Sequence, residues 1–189
     1  MKTQLNEIRS CTICSAHLPQ GTRPVLAADP SSKIVIIGQA PGARVHETGV
    51  PWDDKSGENL RGWLGVDEHT FYDPSQIALL PMGFCYPGKG KSGDLPPRPE
   101  CAPQWHDKVL SLLKEVRLTL LIGQYAQQYY LGNETKKTLT ETVRSFKDYL
   151  PDYFVLPHPS PRNNIWRAKN RWFDETVLPE LQKKVESVL

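Results

Sequence analysis

Residues 33–42, KIVIIGQAPG, decide the fold. Ile34-Val35-Ile36-Ile37 is an unbroken β-branched run without polar alternation, which is how a strand reads when both faces of its sheet are covered. The run stops in two glycines set around Gln39-Ala40-Pro41, a turn where backbone or ligand can approach closely. Three other runs are apolar in the same way: 77–80, 118–123 and 153–156. With 33–38 they predict four strands.

Helical patterns lie between and after these runs. Residues 57–64 put Leu60, Trp63 and Leu64 on one face, and 103–116 space Val109, Leu112, Leu113 and Val116 at helical intervals. Segments 124–131, 138–150 and 172–188 also fit helices. Strands alternating with helices predict an α/β fold: a three-layer α/β/α single domain, residues 1–189, around a central four-stranded parallel sheet. The Cys-bearing N-terminal segment and the loop after Leu80 read as the irregular parts.

The totals agree with that class. The chain has 189 residues, 39% of them hydrophobic, enough for one core, and its formal net charge is only +2. A polybasic coat is excluded, while a local basic face for nucleic acid is not. No run has the length and apolarity of a membrane span, and residues 1–10 are polar and charged, unlike a secretory signal. A cytoplasmic protein that is a monomer and has no membrane partner is expected. In a reducing compartment its four cysteines read as metal ligands or plain core residues rather than disulfides. Seventeen prolines gathered at loops imply shaped, stiff connections.

If the sheet is parallel, all four strand exits share one edge, where such folds bind ligands. The exits read Gly38-Gln39-Ala40-Pro41-Gly42, Pro81-Met82-Gly83, Gly123-Gln124-Tyr125, and Pro157-His158-Pro159-Ser160-Pro161-Arg162-Asn163-Asn164. They carry Gly, Pro, His, Asn and Gln rather than phosphate-cradling residues, with no G-x-x-x-x-G-K-[ST] and no G-x-G-x-x-G among them, so a nucleotide-phosphate site lacks its signature.

GQAPG (38–42) and HPSPRN (158–163) resemble the two motifs of the uracil-DNA glycosylase superfamily. The order of the parts between them is similar to the iron–sulfur family 4 type. Gly49-Val50-Pro51-Trp52 matches its Gly-x-Pro-aromatic segment, and Cys11-x2-Cys14 followed by Cys85 and Cys101 matches its cysteine pattern. HPSPRN itself is closer to the single-strand-selective monofunctional branch. The resemblance covers nearly the whole chain. It departs where the uracil-reading Asn falls on Pro81, where the motif Glu is Gln39, and where the acid or amide of some branches is Ala40. The acidic run after the first motif is here Ala43-Arg44-Val45-His46-Glu47.

The resemblance implies a monofunctional enzyme that hydrolyses the N-glycosidic bond of uracil or another deaminated base in DNA. It implies a [4Fe-4S] cluster on Cys11, Cys14, Cys85 and Cys101; zinc, or four unrelated thiols, are the alternatives. A base-binding set of Gln39, Ala40, Trp52, Pro81 and His158 follows. Trp52 would stack on a flipped base, unless it is a core Trp. His158, its direction fixed by two prolines, would stabilise the charge that develops on the departing base, unless it is a structural loop His. For the sugar pole, His46 and Glu47 are favoured, with Gln39, Asp53 and Asp54 as further candidates. Ser160, Arg162, Asn163, Arg167 and Lys169, with Arg171, would meet DNA, Arg162 filling the vacated stack; a solvated helix start is the plainer alternative. Lys89 and Lys91 could add phosphate contacts. Two other functions remain open at this level: a non-catalytic binder of damaged or single-stranded DNA, and an enzyme on free nucleosides or nucleotides.

Overall fold

The computed structural model describes residues 1–189. Its four strands are β1 (Ile34–Ile37), β2 (Ile77–Leu79), β3 (Leu118–Ile122) and β4 (Phe154–Leu156), all parallel, in the order β2-β1-β3-β4. Ile34 stands opposite Ile77 on one side and Leu118 on the other, and Leu120 stands opposite Phe154. Every residue of β1, β2 and β4 is buried, so both faces of the sheet are covered, as the non-alternating runs require.

Nine helices do the covering: α1 (Lys2–Arg9), α2 (Ala43–Thr48), α3 (Lys55–Leu64), α4 (Glu68–Tyr72), α5 (Cys101–Leu110), α6 (Gly123–Leu131), α7 (Leu139–Arg144), α8 (Asn164–Lys169) and α9 (Leu178–Val188). The four strands and the helix around 57–64 fall where the sequence predicts them, and three other helices differ. The one expected over 103–116 begins at Cys101 and ends at Leu110; Leu113 is buried beyond its end. The segment 138–150 opens with a capping box, Thr138 and Glu141 exchanging side-chain and backbone bonds, and after Arg144 tightens into a 3-10 turn over Phe146–Tyr149. The C-terminal helix carries a π-helical stretch at Phe173–Val177 before α9, which buries both Phe173 and Val177. The N-terminus, expected to be irregular, begins with α1, whose Leu5 and Ile8 reach the core.

Two side chains tie the sheet to its surroundings. Gln127, almost fully buried, donates from Nε2 to the carbonyls of Leu121 and Leu156, joining β3 to β4. His106, fully buried, lies within 2.6 Å of the Tyr130 hydroxyl through Nδ1 and 3.0 Å from the Pro81 carbonyl through Nε2. A carbonyl only accepts, so Nε2 carries the proton and Tyr130 donates to Nδ1. Burial pulls the His106 pKa down to about 4, which keeps the ring neutral.

Candidate functional site

Strand order reverses between β1 and β3, and at that edge opens a cavity of about 500 Å³. Its wall comes from the exits of β1 (Gln39 to Gly42), β2 (Pro81) and β4 (His158 to Asn163), from the Pro51–Trp52 turn, and from a hairpin between Cys85 and Cys101. The exit of β3 contributes no wall residue, because Gly123 turns straight into α6 at a φ of 80°. A Cβ at Gly123 would sit at an ordinary 3.7 Å from the Cβ of His158, so it is the positive φ that favours glycine there.

Trp52 is held in a strained pose. Its φ is 58°, the left-handed region that bulky L-residues avoid, and it is the one non-glycine residue of the chain to enter it. Three contacts enforce the pose. The Tyr72 hydroxyl donates to the Trp52 carbonyl at 3.3 Å. Gly57 leaves room for that carbonyl, since a Cβ on Gly57 would fall 1.8 Å from it. Gly38 leaves room for the indole, since a Cβ there would be 2.6 Å from Cζ2 of Trp52. The first glycine of GQAPG is therefore explained by the ring lying across it. The indole also packs against the core and lies 5.8 Å from the His158 ring, tilted by 31°. Trp52 is thus both a core neighbour and a cavity wall.

His158 is oriented from its backbone. Asn163 donates from Nδ2 to the His158 carbonyl at 2.7 Å, and Asn59 of α3 donates to the Pro159 carbonyl at 2.8 Å. Desolvation lowers the His158 pKa below the ordinary histidine value, with the carboxylates of Asp54 and Asp94 pulling the other way. At neutral pH the ring is uncharged, and it lines the cavity.

The hairpin closes the opposite side. The Gly90 N–H bonds the Gly93 carbonyl, that of Leu95 bonds the Gly88 carbonyl, and the backbones of Lys89 and Asp94 pair in an antiparallel β-bridge. Its tip, Gly88-Lys89-Gly90-Lys91-Ser92-Gly93, spells G-x-G-x-x-G, but it opens no helix and so is not a dinucleotide-binding turn. Arg162 clasps this tip, donating from Nη1 to the Ser92 carbonyl at 3.1 Å. Two carboxylates share the cavity. Asp54 caps α3 through Oδ1, accepting from the Gly57 N–H at 2.9 Å. Asp94 accepts from the Tyr86 hydroxyl through Oδ1 at 3.2 Å. The Oδ2 atoms of Asp94 and Asp54 lie 3.5 and 3.9 Å from where a Cβ on Gly42 would stand, so the second glycine of GQAPG leaves space between them.

The cavity brings together Gln39, Ala40, Trp52, Asp54, Pro81, Lys89, His158, Ser160, Arg162 and Asn163 of the residues singled out in the sequence. Others lie elsewhere. Glu47 is exposed, and its carbonyl accepts from Arg23; neither it nor His46 lines the cavity. The reason is helical geometry: α2 turns Val45 to the cavity and places the His46 ring 6.0 Å from Tyr86, with Nδ1 buried and unpartnered. Asp53 pairs with Arg44 at 3.7 Å. Arg167 is engaged with Asp174 at 2.7 Å and lies over the Trp63 ring, and Lys169 sits exposed at the end of α8. Asp94, Asn59 and Ile165 were not singled out by sequence. Ile165, directly after the second motif, is 71% exposed. An apolar residue left in solvent beside a motif loop is a readable signal; the hairpin carboxylate had none.

The four cysteines converge on a second, largely apolar cavity, together with Leu18, Phe84 and Trp105. Cys85 and Cys101 share that cavity with Cys11 and Cys14. Burial pushes the Cys85 thiol up to about 11 and the Cys101 thiol up to about 12. The Phe84 N–H points at the Cys101 sulfur, 3.4 Å away, and Arg98 stands beside Cys14. No three Cys, His, Asp or Glu side chains are arranged to hold a metal ion. Four cysteines around one apolar space, with the Phe84 N–H and the Arg98 guanidinium beside them, form a donor set that fits a thiolate-bound iron–sulfur group.

No helix is long and apolar enough to cross a membrane. The family model of the uracil DNA glycosylase superfamily matches residues 26–182, which takes in both strand-exit motifs and Cys85 and Cys101 but begins after Cys11 and Cys14. With its four-stranded parallel sheet and its edge cavity, the chain belongs to the uracil DNA glycosylase superfamily.

Proposed function

We propose that this protein is a monofunctional DNA glycosylase that hydrolyses the bond between deoxyribose and uracil, or another deaminated base, during base-excision repair. The observation that carries the reading is the pairing of Trp52 and His158, 5.8 Å apart in one edge cavity. A base drawn out of the helix loses its stacking, and the indole face replaces it. His158, neutral and held at its backbone by Asn163, donates an N–H to the base as the C1′–N bond breaks and negative charge builds there. The sugar becomes cationic at the same moment, and the fixed carboxylate of Asp54 faces that charge across the cavity.

DNA is held by charge at the cavity mouth. Lys89 and Arg162 stand there to meet phosphates. Arg162, on the cavity wall, and the exposed Ile165 would enter the gap that a flipped base leaves.

Cys11, Cys14, Cys85 and Cys101 would hold a [4Fe-4S] cluster. Bound there, it supplies structure: it fastens the N-terminal segment and both ends of the hairpin to the domain. The base chemistry is left to His158 and its neighbours.

The test incubates the protein with oligonucleotides carrying uracil, hypoxanthine or xanthine, followed by alkali. Alkali-dependent strand breaks are expected. Retention on DNA without breaks would instead make it a damaged-DNA binder, and borohydride trapping of a protein–DNA adduct through Lys89 would overturn the monofunctional assignment.

A further inference from the structure

We propose that Asp94, carried by the hairpin between Cys85 and Cys101, is the catalytic carboxylate that takes the proton of the attacking water. This rests on the glycosylase reading above.

Hydrolysis needs a group to orient a water and accept its proton while the water oxygen bonds to C1′. At the first motif this chain has Gln39 and Ala40, which cannot act as bases. His46 and Glu47 are outside the cavity, and Asp53 is paired with Arg44. Two carboxylates remain. Asp54 has Oδ1 tied to the α3 N-terminus and serves as a fixed anion. Asp94 forms no ion pair and is held by a single neutral donor, the Tyr86 hydroxyl on Oδ1. Its Oδ2 lies 3.5 Å from where a Cβ on Gly42 would stand, and both residues line the cavity. That space is continuous with Trp52 and His158, and the charge of Asp94 is felt at the His158 ring.

Electrostatics point the same way. A second carboxylate in a cavity that must admit a polyanion weakens DNA binding. Its presence is accounted for by the cation that forms at C1′ and by the proton that leaves the water. The step balances: the water oxygen bonds to C1′, its proton passes to Asp94, and the C1′–N bond breaks with its electron pair going to the base. The base leaves as an anion bonded to His158 and is then protonated from solvent.

Single-turnover cleavage of the best of the three deaminated substrates is measured for the intact protein, Asp94→Asn and Asp94→Ala, with affinity for an uncleavable duplex measured in parallel. Asp94→Asn is expected to be slower by about 10²- to 10⁴-fold. Its DNA affinity should be unchanged or tighter, and added formate should accelerate Asp94→Ala but not the parent. A rate within threefold of the parent overturns the proposal. So does a loss of rate matched by an equal loss of DNA affinity, or an Asp94→Ala variant that formate leaves slow. A parent protein that releases none of the three bases refutes the glycosylase reading itself, a result distinguishable from an active parent with an equally active Asp94→Asn.

Discussion

Replacing Gly38 by Ala tests whether the first motif is shaped for the base or for Trp52. The three heavy atoms nearest a Cβ on Gly38 are all on the Trp52 indole: Cζ2 at 2.6 Å, Cη2 at 3.3 Å and Cε2 at 3.6 Å. The ring must retreat until its nearest atom is at an ordinary contact of 3.4 Å or more. It cannot slide freely, because its backbone is pinned between Gly57 and the Tyr72 hydroxyl. Overpacking of this kind costs about 1–3 kcal/mol. In a Trp52→Ala background the clash has no partner. Gly38 is not at positive φ, so Ala there should then stabilise by about 0.4–1 kcal/mol by restricting the unfolded chain. The same substitution therefore changes sign between backgrounds, giving a coupling of about 1.4–4 kcal/mol from those two figures. Urea unfolding of the parent, the two single variants and the double variant measures it. An equal cost of Gly38→Ala in both backgrounds would refute the account of the motif, and that glycine would need another reason.

His158→Ala should slow the single-turnover step about 10²- to 10³-fold with little change in DNA affinity; an unchanged rate removes the residue from the chemistry. His106 is kept neutral below its ordinary 6.5, down to about 4. The unfolded chain therefore binds the extra proton first, and stability complete above about pH 6.5 is lost as the pH falls toward 4. The loss is on the order of 3 kcal/mol, and urea unfolding between those pH values should show a shallower acid limb for His106→Gln than for the parent. Cys85→Ser or Cys101→Ser should abolish bound iron and the broad visible absorption of thiolate-bound iron in anaerobically purified protein. Parent protein containing zinc, or no metal, would remove the cluster.

The sheet was legible because its strands are buried on both faces, and such strands announce themselves as unbroken apolar runs, 34–37 most plainly. Helix ends were less legible. Nothing local in the sequence distinguishes a tertiary decision such as the π-helical stretch at Phe173–Val177, which brings two apolar residues onto the core. At the site, Trp52 and His158 stood out because prolines beside them, Pro51 and Pro157 with Pro159, restrict the backbone. The choice between His46, Glu47 and Val45 for the cavity is a matter of helical phase: three adjacent residues on α2 point in three directions, and the motif does not state which faces inward. Asp94 was invisible for a different reason. It reaches the cavity through a hairpin whose path is set by Arg162, Ser92 and the two cysteines, contacts between segments far apart in the chain.

Pro81 has a consequence for selectivity. It has no N–H, and its carbonyl is committed to His106 behind the wall, so what it offers a bound base is ring carbon. Where related enzymes present an amide that demands a matching edge, this wall can only ask whether a base fits. Discrimination by fit alone amounts to roughly 10- to 200-fold, against 10⁴ or more where a buried polar group would be left unmatched. On the proposed glycosylase reading, that side of the cavity reads only the outline of a base, and polar discrimination falls to Gln39 and His158.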